Sequence, residues 1–209
     1  MNQRSKKTRI ALQKTGRLQG PSLDFLRSLG LKVKPNGTKL ISPCLNADIE
    51  ILYVRNSDIP QYVKSGVADY GIVGENVLIE KKSRLKIIKR LGFGKCKLII
   101  AAPKNSDIKN IDDLSEERIA TSYLNTLKGY LEEKCVSASL VEINGSVEIC
   151  PFLNLSDAIC DIAQTGQTLK ENDLRIIDKI MDSEAVLVRS PFFNKLMTDN
   201  FEKLITPKQ

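Results

Sequence analysis

The chain alternates short runs of β-branched and apolar residues with amphipathic stretches, and this alternation limits the folds open to it. Strand-like runs occupy residues 9–13, 49–54 and 70–73, and helix-like stretches occupy 22–29 and 59–65. Strands separated by helices are typical of α/β architecture with a largely parallel sheet.

A long extended stretch, residues 85–103, is interrupted by Gly92, Phe93 and Gly94 and precedes a second α/β series. The pattern predicts strands and helices in the order 118–121, 124–134, 140–143, 147–153 and 158–163. A second extended pair, 174–180 and 185–188, follows. We interpret the two extended stretches as places where the chain passes from one lobe to the other. We therefore expect two lobes with a cleft between them. Lobe I comprises residues 1–94 completed by 186–209, and lobe II comprises 95–185.

Residues 157–169 carry the clearest chemical signal, because an apolar run there ends in a small, hydroxyl-rich turn. The turn consists of Thr165, Gly166, Gln167 and Thr168. Its glycine allows backbone N–H groups to approach a ligand closely. Thr168 and Glu171 fit a capping box, so a helix is expected to begin there with its positive end facing the turn.

Two carboxylates, Asp157 and Asp161, accompany this strand. A turn that can cradle a phosphate, with acidic groups beside it, suits a phosphorylated sugar bearing hydroxyls or magnesium. An ordinary strand–turn–helix junction is the alternative interpretation, because Thr-Gly turns are common.

Composition narrows the classes of partner. The 209 residues suffice for one large domain or two small ones, and 32 Lys and Arg against 25 Asp and Glu give a formal charge of +7. A basic balance raises the local concentration of anionic ligands. Aromatic residues make up 5% of the chain, tryptophan is absent and the lysines are scattered, so no nucleic-acid partner is expected.

The cysteine and histidine content excludes several chemistries. Five cysteines lack C-x-x-C spacing and there is no histidine, which argues against a zinc site and against Ser-His-Asp or Cys-His catalysis. The apolar stretch after the basic start is too short for a signal peptide, and no run approaches a membrane span. We therefore expect a cytoplasmic protein with reduced thiols and no membrane partner.

The segment that ends in the Thr-Gly turn resembles the phosphoribosyl-pyrophosphate loop of ATP phosphoribosyltransferases, which open histidine biosynthesis. Glu148 and Asp161 match the start of that pattern, and its end is matched by Thr165, Gly166, Thr168 and Leu169. Asn154 stands where the family usually has glycine. Asparagine tolerates a left-handed backbone, so the turn is expected to survive.

Further blocks extend the resemblance over essentially the whole chain, at residues 9–18, 54–60, 66–78, 118–123 and 144–148. The resemblance implies a two-lobed, periplasmic-binding-protein-like (type II) α/β fold. It also implies a catalytic core without the C-terminal histidine-sensing domain. Whether this is a natural short form or a truncated long form is left open by the residues.

The implied reaction joins the first ring nitrogen of the adenine of ATP to the anomeric carbon of the ribosyl donor, and pyrophosphate leaves. The family is oligomeric, so a homo-oligomer is expected, and short forms depend on a regulatory subunit resembling histidyl-tRNA synthetase. The alternatives are a two-lobed module that binds a phosphometabolite and a partner-dependent subunit without independent catalysis.

Residue roles follow from the matched motifs. Asp161, Glu148 and Arg17 are the catalytic candidates. Phosphoribosyl pyrophosphate is expected at Asp157, Asp161, Thr165, Gly166, Gln167 and Thr168, and ATP at Lys14, Arg17, Arg55, Asp69, Gly74 and Glu75. Two residues keep a purely structural alternative: Glu148 as a helix-start carboxylate and Glu75 as a cap. No protein ligand is assigned to Mg2+, which the substrates are expected to carry.

Overall fold

The structure is a computed structural model that describes residues 7–33, 39–164, 166–192 and 201–205. The chain divides into two compact units. The first comprises Met1–Gly94 and Glu184–Gln209, and the second comprises Lys95–Ser183. The chain returns to the first unit at Glu184, two residues before the expected position 186. It does so because Ala185 already pairs with Gly74 in the sheet of the first unit.

Eleven strands and five α-helices have both ends in the described residues, and residues 201–205 are also helical. In chain order they are β1 (Thr8–Gln13), α1 (Gln19–Ser28), β2 (Ile41–Pro43), β3 (Ile49–Val54), α2 (Ile59–Lys64), β4 (Tyr70–Gly74), α3 (Glu75–Glu80), β5 (Lys86–Arg90), β6 (Cys96–Pro103), β7 (Arg118–Thr121), α4 (Leu124–Lys134), β8 (Ser139–Glu142), β9 (Ala158–Ala163), α5 (Gln167–Glu171), β10 (Leu174–Ser183) and β11 (Ala185–Arg189). Within this part of the chain, no helix has both the length and the apolar character needed to cross a membrane.

The first unit contains a six-stranded sheet in the order β2-β3-β1-β4-β11-β5. Its centre, β3-β1-β4, is parallel, whereas β2 and β11 run antiparallel to their neighbours. The expectation of a largely parallel sheet is therefore wrong. The returning strand β11 is inserted between β4 and β5, and together with β2 it makes the sheet mixed.

The second unit contains a five-stranded sheet in the order β10-β6-β9-β7-β8. Strands β9, β7 and β8 are parallel, and β6 and β10 add antiparallel strands beside β9. This sheet is also mixed. The long strands β6 and β10 pair with each other over most of their length, which keeps β10 in the second unit.

Both faces of each sheet are covered, which explains why the strands read as nearly continuous apolar runs. Ile10 and Leu12 of β1 pack on the α1 side of the first sheet, and Ala11 between them packs on the side covered by α2 and α3. In the second unit, Ile100 faces the α4 side and Ile99 faces the opposite cluster. Successive residues of a strand therefore pack into the hydrophobic clusters on opposite faces of its sheet.

Residues 147–153 differ from the single helix predicted from the sequence. They form two 3-10 turns, Val147–Ile149 and Pro151–Leu153. Pro151 has no backbone N–H, so the chain cannot continue a regular helical ladder across it. Asn154 closes the second turn with φ 54°, which confirms that asparagine supports the left-handed turn here.

At the amino ends of β7 and β9, Asp157 binds Arg118. The Asp157 carboxylate accepts hydrogen bonds from the backbone N–H, Nε and Nη2 of Arg118, each at 2.9 Å. Arg118 Nη1 also donates to Asn154 O at 2.8 Å. Hydrogen bonds from the Arg118 guanidinium hold the pKa of Asp157 below its ordinary value. The pair therefore fastens the start of β9 to β7.

We expect Asp157→Asn to lower the free energy of unfolding by about 1 kcal/mol near neutral pH, because the partly exposed ion pair is lost while the side-chain shape is kept. The folded pKa is depressed, so the stabilisation is present above the unfolded pKa of about 3.9 and is lost as the pH falls through the folded pKa. Urea unfolding at about pH 7 and about pH 2 measures the difference.

The control is Asp24→Asn, whose carboxylate pairs with Arg27 at 2.8 Å and is 72% exposed. We expect little change in that variant, because exposed helix pairs contribute little. Equal losses in the two variants, or a loss for Asp157→Asn that does not shrink in acid, would contradict the structural role of Asp157.

Candidate functional site

The carboxyl ends of β9, β7 and β8 lie at one edge of the second unit's sheet, where ligands of α/β proteins generally bind. Three connecting segments begin there. Gln164 follows β9 and Gly166 directly precedes α5, Tyr123 precedes α4, and residues 143–148 follow β8. This edge therefore gathers Gly166 and Glu148, two residues that the sequence singled out.

Asp161 lies within β9 on the face opposite α4. It pairs with Ile99 of β6, and its neighbours on that face belong to an apolar cluster that includes Val147, Ile159 and Leu169. Burial raises the pKa of Asp161 to about 6. A hydrogen bond from the Ile162 backbone N–H opposes that increase, and repulsion from Glu148 adds to it.

Glu148 is the central residue of the 3-10 turn Val147–Ile149, which packs against β9 through the fully buried Val147. The turn explains how a residue thirteen positions earlier in the chain comes close enough to act on the pKa of Asp161. The structure thus brings the two predicted catalytic carboxylates together. Two such groups can accept hydrogen bonds from sugar hydroxyls or stabilise positive charge.

Thr121, at the end of β7, supports this edge, although sequence analysis assigned it no role. It is fully buried, its Oγ1 donates to Cys160 O at 2.8 Å, and the same oxygen accepts from the Tyr123 backbone N–H at 2.9 Å. The side chain ties the last residue of β7 to the residue before Asp161. A hydroxyl residue at the end of a predicted strand is the sequence signal that could have identified it.

The turn after β9 differs from the predicted capping box. Gly166 has φ 73°, in the left-handed region that favours glycine, and α5 begins directly after it at Gln167. The backbone of Thr168 is therefore helical, and Glu171 accepts a hydrogen bond from Gln167 Nε2 at 2.8 Å. Thr165, predicted to bind phosphate, lies outside the described residues, as does the side chain of Thr168.

Asp157 is not brought to this turn. It precedes β9 at the amino end, and the six residues of the strand, about 3.3 Å each, separate it from the loop. Its carboxylate is bound by Arg118. Asp157 therefore fastens two strands at the opposite edge of the sheet, and these contacts favour a structural role over the expected one at the sugar-phosphate site.

In the first unit, Lys14 and Arg55 follow neighbouring parallel strands. The backbone N–H of Lys14 donates to Val54 O at 2.8 Å, directly before Arg55, and both side chains are exposed. Gln13 Oε1 accepts from the Leu18 backbone N–H at 3.1 Å, which holds the turn between β1 and α1. These two predicted ATP ligands therefore share the carboxyl edge of this sheet.

Arg17 lies beside the end of β4 in the same unit. Its Nη1 donates to Gly94 O at 2.6 Å. A Cβ placed on Gly74 would lie 3.8 Å from Arg17 Nη2 and 2.4 Å from Asn76 Oδ1. The absence of a side chain at Gly74 leaves room for Asn76, and it places the Arg17 guanidinium close to the backbone of the strand end.

Glu75 is engaged in an ion pair. Both of its carboxylate oxygens accept from Arg90, and its side chain is 17% exposed. Glu184 lies 3.9 Å from Arg90 and also accepts from the Gly92 backbone N–H at 2.8 Å. This favours the structural alternative for Glu75 over a direct contact with adenine or ribose.

Asp69 lies at the amino end of β4, away from the other predicted ATP ligands. Its Oδ2 accepts from the Arg9 backbone N–H at 2.8 Å, and its own N–H donates to Arg9 O at 2.8 Å. These contacts favour a structural role for Asp69 over the expected binding of ATP. Its carboxylate holds the start of β1 against the start of β4.

Comparison with known proteins places these features in a family. The family model for ATP phosphoribosyltransferase matches residues 55–207. The ATP phosphoribosyltransferase of Cytophaga hutchinsonii is 44% identical over 183 residues, covering 88% of this chain and 64% of that protein. The one from Parabacteroides distasonis is 41% identical over 197 residues, covering 94% and 70%. The chain thus spans about two thirds of the length of these relatives.

Solved structures agree with the sequence matches. The ATP phosphoribosyl transferase (HisG:HisZ) complex from Thermotoga maritima contains a chain that is 32% identical, with a TM-score of 0.78 and coverage of 94% of this chain and 96% of that one. A substrate binding protein of an amino acid ABC transporter matches at 17% identity, with a TM-score of 0.61 and coverage of 95% and 91%. The second match concerns the fold alone, and it confirms the predicted periplasmic-binding-protein-like α/β fold.

The family model covers most of the chain, and relatives more than 40% identical match nearly all of it. Glu148 and Asp161, the two acidic residues matched to the family's motif, are close enough for Glu148 to raise the pKa of Asp161. This chain belongs to the ATP phosphoribosyltransferase family.

Proposed function

We propose that this chain transfers the phosphoribosyl group of phosphoribosyl pyrophosphate to the adenine ring of ATP, giving phosphoribosyl-ATP and pyrophosphate, the first step of L-histidine biosynthesis. The observation that carries the proposal is the proximity of Asp161 and Glu148 at the strand edge that also bears the Gly166 turn. Family membership supplies the reaction to which this arrangement is suited.

The chemistry asks for positioning and charge stabilisation. The adenine nitrogen attacks the anomeric carbon with its lone pair, and the bond from that carbon to pyrophosphate breaks, so the electron pair leaves with pyrophosphate. Positive charge develops on the sugar ring. An ionised Asp161 in apolar surroundings stabilises that charge more strongly than an exposed carboxylate would. Asp161 and Glu148 also accept hydrogen bonds from the ribose hydroxyls.

The turn after β9 is proposed to hold the 5-phosphate. Gly166 adopts a left-handed conformation with no side chain, so consecutive backbone N–H groups are accessible to a phosphate. Gln167 adds an amide on the first turn of α5. The hydroxyls of Thr165 and Thr168 complete the proposed set.

The first unit is proposed to bind ATP and the departing pyrophosphate. Lys14 and Arg55 present exposed positive charges at adjacent strand ends, and Arg17 lies beside Gly74 at the end of β4. Cationic side chains at the carboxyl edge of a parallel sheet are well placed to bind phosphates. Asp69 and Glu75 are left out of this proposed set because both are bound within the unit.

Magnesium fits this arrangement as an ion carried by the substrates. Within the described ranges, no group of three or more Cys, Asp or Glu side chains could hold a metal ion. Mg2+ commonly binds one or two carboxylates together with substrate phosphates, and Asp161 and Glu148 offer two carboxylates next to the turn. When bound, the ion would neutralise charge on the leaving pyrophosphate.

A homo-oligomer and a regulatory subunit resembling histidyl-tRNA synthetase are also part of the proposal. A solved relative from Thermotoga maritima is described as a HisG:HisZ complex, which supports a partner subunit. A cytoplasmic location is proposed because the substrates are cytoplasmic metabolites and because the five cysteines, all of them described, form no disulfide and four are buried.

The direct test combines purified protein with ATP, phosphoribosyl pyrophosphate and Mg2+ and detects phosphoribosyl-ATP by mass spectrometry. We expect product from the protein alone or after addition of the synthetase-like partner. Product that requires the partner identifies a partner-dependent enzyme. No product under either condition, together with tight binding of phosphoribosyl pyrophosphate, would identify a binding module and refute the proposal.

We expect Asp161→Asn to lower kcat/KM for phosphoribosyl pyrophosphate by about 100-fold or more, because the amide keeps the shape but cannot supply the charge. Asp157→Asn is the matched control in the same segment, and it should change kcat/KM by no more than a few-fold. Steady-state kinetics of both variants decide the matter. Near-normal turnover in Asp161→Asn would remove this residue from the catalytic machinery.

A pH dependence follows from the pKa of Asp161, which burial raises to about 6. If the ionised form acts, the activity of the wild type falls as the pH drops below about 6, and Asp161→Asn lacks this decline. Stability changes in the opposite sense. The folded state holds the proton between about pH 4 and about pH 6, so the free energy of unfolding decreases as the pH rises through that range. Rate profiles and urea titrations across this range measure the two effects, and a pH-independent rate would contradict the assignment.

A further inference from the structure

A groove of about 1020 Å³ lies on the first unit beside α2, between that helix and the segment that follows α3. Six cationic side chains line it: Lys64, Lys81, Lys82, Arg84, Lys86 and Arg189. Among the described residues that line it, Asp58 is the one carboxylate, and its Oδ1 accepts a hydrogen bond from Ser57 Oγ at 3.1 Å. The groove therefore concentrates positive charge.

Most of this charge is not neutralised within the described part of the chain. Arg189 pairs with Glu202 at 2.7 Å. The remaining five cations take part in none of the ion pairs found between described residues. Two like charges about 8 Å apart repel by about 0.5 kcal/mol even in bulk water, so a cluster of this size disfavours the compact state unless an anion is bound.

The groove is built on regular structure. Three backbone hydrogen bonds fix the cationic segment after α3: Lys81 N–H to Val77 O, Lys82 N–H to Ile79 O and Ser83 N–H to Leu78 O, at 2.8–2.9 Å. Lys86 and Arg189 are partners in the β5–β11 register. The backbone that carries these cations is thus fixed before any ligand arrives, which lowers the entropic cost of binding.

These cations are separate from the residues proposed to bind ATP. Arg189 pairs with Tyr70 at the start of β4, whereas Lys14 and Arg55 lie where β1 and β3 end. The strands β1, β3 and β4 are parallel, so their amino ends lie together and their carboxyl ends lie together. The two cationic sets therefore lie towards opposite ends of the strands in one sheet. The proposed catalytic chemistry makes no use of the groove.

We propose that this groove is a second anion site, which takes a small molecule bearing a chain of phosphates. Its volume matches a small-ligand pocket rather than a flat protein interface. Four of the six cations are lysines, which bind phosphate as mobile point charges, whereas carboxylate recognition favours paired arginine forks. The shared chemistry of inorganic polyphosphate and nucleoside polyphosphates fits this lining.

The test titrates inorganic tripolyphosphate, and separately UTP, into three full-length proteins by calorimetry. The groove variant carries Lys81→Gln, Lys82→Gln and Arg84→Gln. The charge-matched control carries Lys109→Gln, Lys128→Gln and Lys134→Gln, which are exposed positions of the second unit. We expect the groove variant to lose one binding event, or to bind tripolyphosphate at least about tenfold more weakly, a change of about 1.4 kcal/mol. The control should stay within about twofold of the wild type.

Any binding at the proposed ATP and sugar-phosphate sites is common to all three proteins, so the difference isolates the groove. Unchanged thermal unfolding and unchanged transferase rates in the groove variant show that fold and active site are intact. Tighter binding of UTP than of tripolyphosphate identifies a nucleotide ligand, and equal binding identifies the phosphate chain alone. Wild-type stoichiometry and affinity in the groove variant, or equal weakening in both triple variants, would overturn the proposal.

Discussion

The register of β9 between β6 and β7 is the constraint on which the second unit's chemistry depends. It sets Ile159, Asp161 and Ala163 on one face and Ala158, Cys160 and Ile162 on the other. A shift by one residue would exchange the two sets, moving the carboxylate into the α4 core and exposing Cys160 in its place. Buried pairing along the whole strand therefore fixes the position of a single ionisable group.

The same register explains why the pKa of Asp161 is raised. The Asp161 carboxylate lies on the face that carries the apolar cluster of Ile99, Val147 and Leu169, and it loses hydration there. No cation among the described residues contributes to its pKa, so its proton is held more tightly. Asp157, only four residues earlier, shows the opposite behaviour, because Arg118 binds it directly. Two aspartates of one segment thus acquire opposite pKa shifts, and the difference comes from their surroundings.

Much of the fold could be predicted from sequence, because local apolar periodicity determines where strands and helices form. Residues 49–54, 118–121, 124–134 and 158–163 have the expected elements at the expected positions. The direction of β11 could not be predicted, since its pairing with β4 and β5 joins residues about one hundred positions apart. Periodicity carries no information about such partners.

The arrangement of the predicted site residues depends on strand direction as well. Glu148 comes close enough to Asp161 to raise its pKa, because each follows or occupies a parallel strand that points to the same edge. Asp69 and Asp157 precede their strands and so lie at the other edge, a distinction that depends on strand direction. The ion pair of Glu75 could not be predicted, because its partner Arg90 comes close to it only through the tertiary fold.

The insertion of β11 between β4 and β5 also bears on how the protein is made. β11 is synthesised after the entire second unit. In a nascent chain, β4 and β5 therefore each lack this neighbour until residue 189 has left the ribosome. Unpaired edges are templates for wrong association. The second unit has a continuous sequence and can fold earlier, so the first unit to be translated is the last to be completed.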